Sequence, residues 1–189
     1  MENSNPISRR GFLAVATAGT AVLAGCANGV NSQGGSRIDQ RIDVTRNFLF
    51  STYPGTAQLE AKATGVLWMP LITKAGFGVG GSYGTGALRI ANSTVDYYEA
   101  LQANVGFQLG AQQYAHALFF MTPEALANFR TSHGWSVGAD AEYALVDQGG
   151  NISAETLTTL EPVVAMVFAQ AGLIAGATLG GTKYRRIIP

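Results

Sequence analysis

The chain has 189 residues, and its 12 Lys and Arg balance 12 Asp and Glu, so the formal net charge is zero. Neither sign dominates, which excludes the broad basic footprint of a nucleic-acid binder. Charged residues make up 13% of the sequence and hydrophobic ones 47%, a charged share about half that of an ordinary soluble domain.

The first element is Ser8-Arg9-Arg10-Gly11-Phe12-Leu13, followed by an uncharged stretch to Gly25. That stretch falls short of the roughly 20 residues needed to span a bilayer. Gly11, Gly19 and Gly25 weaken it further as a buried helix. A positive start, a short apolar run and small residues before a cleavage point make residues 1–25 a removable signal peptide. Ser-Arg-Arg-x-Phe-Leu resembles the twin-arginine export signal, and Leu23-Ala24-Gly25-Cys26 resembles the lipobox of bacterial lipoproteins. The resemblance implies lipidation at Cys26, export, and a protein lipid-anchored in the bacterial periplasm or cell envelope. Ala27 stands where an Asp often retains lipoproteins at the inner membrane, which favours the outer membrane. Cys26 is the sole cysteine, so no disulfide is expected. Without Arg9, Arg10 and Glu2, ten basic residues face eleven acidic ones, a mature charge near −1.

Residues 26–36 comprise the lipidated Cys and a Gly/Ser/Asn-rich flexible tether. An N-terminal helical segment is expected over 37–61. Ile38, Ile42, Thr45 and Leu49 recur at helical spacing beside Arg37, Arg41 and Arg46, and Tyr53-Pro54-Gly55 stops that helix. A second short helix covers Thr56 to Ala63. The apolar face of the first helix has two possible destinations, the main domain or the bilayer interface.

The remaining residues, 62–189, contain an internal echo. Gly76-Phe77-Gly78-Val79-Gly80-Gly81 is matched by copies starting at Gly106, Gly134 and Gly172. The spacing suits one strand-turn-strand unit used several times. The period inside each copy is two, a strand period that leaves one face bare of side chains. Such a strand permits close backbone approach and sharp coiling of a sheet. Partner strands are expected at Val66–Met69, at Ala87–Ile90 after a Gly84-Thr85-Gly86 turn, and at Tyr97-Tyr98. Others follow at Ala117–Phe120, Tyr143–Val146, Val163–Phe168 and Tyr184–Ile188. One helix interrupts them near 122–132, with Thr122 as N-cap, Pro123 at the first position and Glu124 near the positive end of the dipole. The expected fold class is α+β and β-dominated, with Gly-rich antiparallel strands forming a small barrel or sandwich.

Gly76-x-Gly78-x-x-Gly81 spells the dinucleotide fingerprint, but Ser82-Tyr83-Gly84-Thr85-Gly86 follows where a helix should open. His116 and His133 are the only imidazoles, and neither lies in a metal-like cluster of acids. No Gly-x-Ser-x-Gly elbow is present, and Asp140 and Glu142 fit ordinary exposed acids on one strand face. The expectation is a protein that is not an enzyme, with no catalytic residue, metal or cofactor.

Taken together these residues resemble the SYLF domain, the Ysc-type lipid-binding or actin-binding family, from about Lys62 to Ile188. The strongest stretch runs from Lys74-Ala75-Gly76-Phe77-Gly78 to Gly86-Ala87-Leu88. Phe120-Met121-Thr122, Gly134-Trp135, Val167-Phe168 and Leu179-Gly180-Gly181 extend it in order. The resemblance implies lipid binding, with phosphatidylinositol-type head groups in eukaryotic members. Actin binding, known for some of those, is not expected outside the cytoplasm of a bacterium. The only local basic cluster is Lys183, Arg185 and Arg186, with Lys74 and Lys62 as further lipid-binding candidates. Near an anionic surface each contributes roughly 1 kcal/mol. Two functions follow as expectations: a membrane-anchored module that binds anionic head groups, or an envelope assembly lipoprotein that binds protein or glycan.

Overall fold

The computed structural model describes residues 32–106, 111–140, 144–146, 161–169, 172–173 and 179–189. The expected signal peptide, Cys26 and the expected tether as far as Asn31 lie outside the described residues, as does Glu142. The elements are α1 (Gly34–Thr52), α2 (Gly55–Lys62), β1 (Gly65–Ile90), β2 (Ser93–Gly106) and β3 (Ala111–Phe120), then α3 (Pro123–Thr131) and β4 (Trp135–Ser136). The chain continues through β5 (Ala144–Val146), β6 (Val163–Ala169), β7 (Gly172–Leu173) and β8 (Lys183–Ile187). The strands form one sheet in the order β4-β8-β2-β1-β3-β6-β5, with β7 also on β6. It curls into a half-barrel. All pairs are antiparallel except β5 with β6.

β1 explains the curl. Two strands and a turn at Gly84-Thr85-Gly86 were expected here, yet residues 65–90 form one extended strand of 26 residues. Its first half pairs with β3 and its second half with β2. The halves double back and meet backbone to backbone. A β-carbon on Gly86 would run into the carbonyl oxygen of Trp68 and lie 2.5 Å from Met69 Sδ. One on Gly84 would meet Leu71 O and, at 2.5 Å, Ile72 Cδ1. One on Gly80 would lie 2.8 Å from Gly76 Cα. The glycines serve close approach rather than a turn.

The repeat divides accordingly. Gly78 of copy one pairs with Gly106, which opens copy two, and Ala75, just before copy one, pairs with Ala111, which closes copy two; residues 107–110 lie outside the described set. Copy three is different: it is the two-residue strand β4 bracketed by Gly134 and Gly138 at φ of +78° and +80°. There the missing side chain permits a left-handed backbone. Copy four contributes β7, and its residues 174–177 lie outside the described set. Copies one and three, described throughout, are therefore not one structural unit reused. The same spelling answers two geometric needs.

Each face of the sheet carries a buried cluster. On the inner face Leu67, Leu88, Leu118 and Phe120, together with Val163, Ala165 and Val167 of β6, enclose Phe129 of α3 and Trp135 of β4. On the outer face Ile38, Ile42 and Leu49 of α1 and Leu59 of α2 cover Val66, Trp68, Phe119 and Met166. The apolar face of α1 thus packs on the domain, the first of its two possible destinations. β6 sits between the two clusters and is buried on both sides from Val163 to Phe168.

α1 begins at Gly34, three residues before the expected Arg37. Gly34 N donates to Ser32 Oγ at 3.0 Å. A β-carbon on Gly35 would lie 2.7 Å from the Tyr97 hydroxyl, so this glycine seats the helix against β2. A polar clamp completes the seat. Buried Arg89 donates to Asp43 Oδ1 at 2.6 Å, while Thr94 and Tyr97 donate to Asp39 at 2.7 and 2.8 Å. Burial and the Asp39 carboxylate push the Tyr97 phenol up to about 12. Arg46 forks onto Glu60 at 2.6 to 3.0 Å and fixes α2 to α1.

α3 follows its sequence signals. Thr122 caps it by accepting from Ala125 N at 3.1 Å, and Pro123 opens the first turn. The central constraint is directly testable. Gly86→Ala should lower the stability of the chain by about 2–3 kcal/mol in urea unfolding, the usual cost of overpacking. Gly81→Ala, whose β-carbon would meet only Gln102 O at 3.3 Å, should cost far less. Equal costs at the two sites would refute the doubling-back constraint.

Candidate functional site

β8 carries the basic cluster, and strand alternation splits it. Lys183 and Arg185 point one way; Arg186 points the other way with buried Tyr184. Lys183 lies opposite Leu101 on β2, and Leu101 lies opposite Tyr83 on β1. Paired residues of antiparallel strands share a face. Tyr83, Leu101 and Lys183 therefore form a row across three strands, with Tyr83 51% and Leu101 42% exposed. Lys183 makes no ion pair among the described residues. The neighbouring row is Thr85, Glu99 and Arg185, where Arg185 Nε donates to Glu99 Oε1 at 2.6 Å.

Arg186 joins a different cleft, of about 450 Å³, whose lining includes Tyr98, Arg130, His133, Gly134 and Arg185. Asp96 lies 3.4 Å from Arg186 Nε and 3.2 Å from Arg130 Nη2, so one carboxylate holds two guanidinium groups. The other candidates lie on separate elements. Lys74 stands opposite Gln112 in the β1–β3 ladder, and Lys62 is exposed in the last turn of α2. Cys26 is outside the described residues. Sequence reasoning missed Tyr83 and Leu101, since their pairing depends on register between distant segments.

The other singled-out groups are structural. Asp140 Oδ2 accepts from Ser136 N at 2.5 Å and closes the turn after β4. His116 is buried, its Nε2 lies 2.8 Å from the Tyr184 hydroxyl, and its Nδ1 has no partner among the described residues. Burial pushes its pKa down to about 3. A phenol and a neutral imidazole can share this hydrogen bond without a charge.

The described residues thus form a curled, mostly antiparallel sheet with helices on both faces and an exposed aromatic, aliphatic and cationic row. Residues 101–186 match the family model described as Ysc84, Las17-binding protein actin regulator. Over that segment the chain is similar to the SYLF domain family, and the match is consistent with the resemblance seen in the sequence. The match runs from Leu101 in β2 to Arg186 in β8, and so takes in two members of the exposed row but not the stretch from Lys74 to Leu88. No curated protein matches the chain. At the family level the domain is linked to lipid or actin-related binding.

His116 also sets an acid limit. Its folded pKa is depressed below the ordinary 6.5, so its contribution to stability is complete above pH 6.5 and declines as pH falls towards 3. His116→Gln should flatten that decline in unfolding experiments run from about pH 7 to about pH 4. A His116 imidazole signal, identified by its loss in His116→Gln, that titrates at the ordinary 6.5 in NMR spectra would refute the assignment.

Proposed function

We propose that this protein is a binding module, not an enzyme, which holds anionic lipid at a membrane surface through the outer face of β1, β2 and β8. The row Tyr83–Leu101–Lys183 carries the reading. An amphipathic aromatic, an aliphatic side chain and an ammonium group without an ion pair among the described residues match the headgroup boundary of a bilayer, where rings and Lys residues anchor. The match of residues 101–186 to the family model supports the same reading. Anionic head groups, including phosphoinositide-like ones, suit Lys183, with Arg185 beside it.

We further propose that the chain is an exported lipoprotein anchored through Cys26 in the cell envelope. The lipobox-like Leu23-Ala24-Gly25-Cys26 and the twin-arginine-like Ser8–Leu13 support this. That setting favours lipid over actin as the partner.

Vesicle co-sedimentation of the full chain tests the surface. Vesicles of phosphatidylglycerol and phosphatidylcholine should pellet it in a salt-sensitive manner, and Lys183→Gln should weaken binding about fivefold, the equivalent of roughly 1 kcal/mol near an anionic surface. Tyr83→Ser with Leu101→Ser should reduce binding at every salt concentration. Wild-type protein left in the supernatant on anionic vesicles, or variants that bind as wild type, would reject the surface.

A further inference from the structure

A groove separates α1 from the sheet. One part, of about 600 Å³, is lined by Phe48 of α1, Pro70 and Leu71 of β1, Tyr114 of β3 and Phe168 of β6. A second part, of about 500 Å³, is lined by Arg37, Gln40 and Arg41. The two share Val44, Thr45, Pro70 and Leu71 and are therefore continuous. The groove has a local cause. Between Met69 and Ile72 the β1–β3 register slips, with Met69 opposite His116 and Ile72 opposite Tyr114. Two residues of β1, Pro70 and Leu71, thus stand against one of β3, which is a β-bulge, and Pro is suited to it because it has no N–H to place in the ladder.

Charge is distributed unevenly along this groove. Arg37, Arg41, Val44 and Phe48 follow one face of α1 at spacings of three and four residues. The cations lie towards the start of the helix and the apolar residues towards its end, roughly 10 Å further on for the seven residues from Arg41 to Phe48. Arg46, Arg89, Arg130, Arg185 and Arg186 are all ion-paired, whereas Arg37 and Arg41 have no ion pair among the described residues. Val44, between the two ends, is 71% exposed.

We infer that this groove takes the acyl chain of an anionic lipid, with the chain among Phe48, Leu71, Tyr114 and Phe168 and the anionic end on Arg37 and Arg41. Paired guanidinium groups answer an acid, and an apolar trough of this volume falls in the usual range for a small-molecule site. The inference rests on the lipid-binding reading, but the site is distinct from the Tyr83–Leu101–Lys183 row. The row meets a bilayer, while the groove receives a single lipid molecule.

The test uses the full chain and 11-(dansylamino)undecanoic acid, a single-chain anionic probe that brightens in apolar surroundings. Wild-type protein should raise and blue-shift its emission. Arg37→Gln with Arg41→Gln should weaken probe affinity about tenfold and remove its salt dependence. Val44→Asp, at an exposed position, should abolish binding while leaving the unfolding midpoint unchanged. No emission change with wild type, or unchanged affinity in both variants, would overturn the inference. Vesicle sedimentation keeps the two sites apart: failure of the probe with vesicle binding intact rejects the groove alone, and probe binding without vesicle binding rejects the row alone.

Discussion

The doubling back of β1 is the constraint on which the rest of the structure depends. Its halves approach so closely that Gly80, Gly84 and Gly86 leave no space for a side chain. That contact joins the β2 and β8 ladder to the β3 and β6 ladder and makes one sheet curl round a single inner core. The cost of ordering these glycines is conformational entropy. Burial of large aromatics such as Phe120, Phe129, Trp135 and Tyr184 offsets it.

The outer layer follows from the same bend. Once β1 turns back, Arg89 lies beside Thr94 and Tyr97 across the β1–β2 hairpin, and Asp39 and Asp43 of α1 meet them there. A buried guanidinium is tolerated only with acids at hand. The clamp therefore fixes the start of α1, and the Arg46–Glu60 pair fixes its later turns. The groove lies beside a helix held at both ends.

Local signals made much of this legible. Thr122-Pro123-Glu124 set the start of α3, and the apolar run Val163–Phe168 marked a strand, which the structure buries on both sides. The period-two glycines announced a backbone contact, and that contact exists. Whether Gly84-Thr85-Gly86 was a turn or a tight crossing was not legible, because glycine meets both needs with the same letter. The alternation that parts Arg186 from Lys183 and Arg185 was visible in sequence. The residues opposite them were not, since register between segments 83, 101 and 183 is a property of the closed sheet. The bulge at Pro70 and the charge environment of Arg37 and Arg41 likewise depend on residues far along the chain.

The exposed row has a thermodynamic consequence. Its three side chains come from strands that begin at Gly65, Ser93 and Lys183, so no local fragment displays it. A ligand that recognises the row binds the native state and not the unfolded one, and mass action then adds to native stability as ligand concentration rises. A membrane surface would act on this chain as a selective reservoir for completed molecules, retaining those whose last strand has docked.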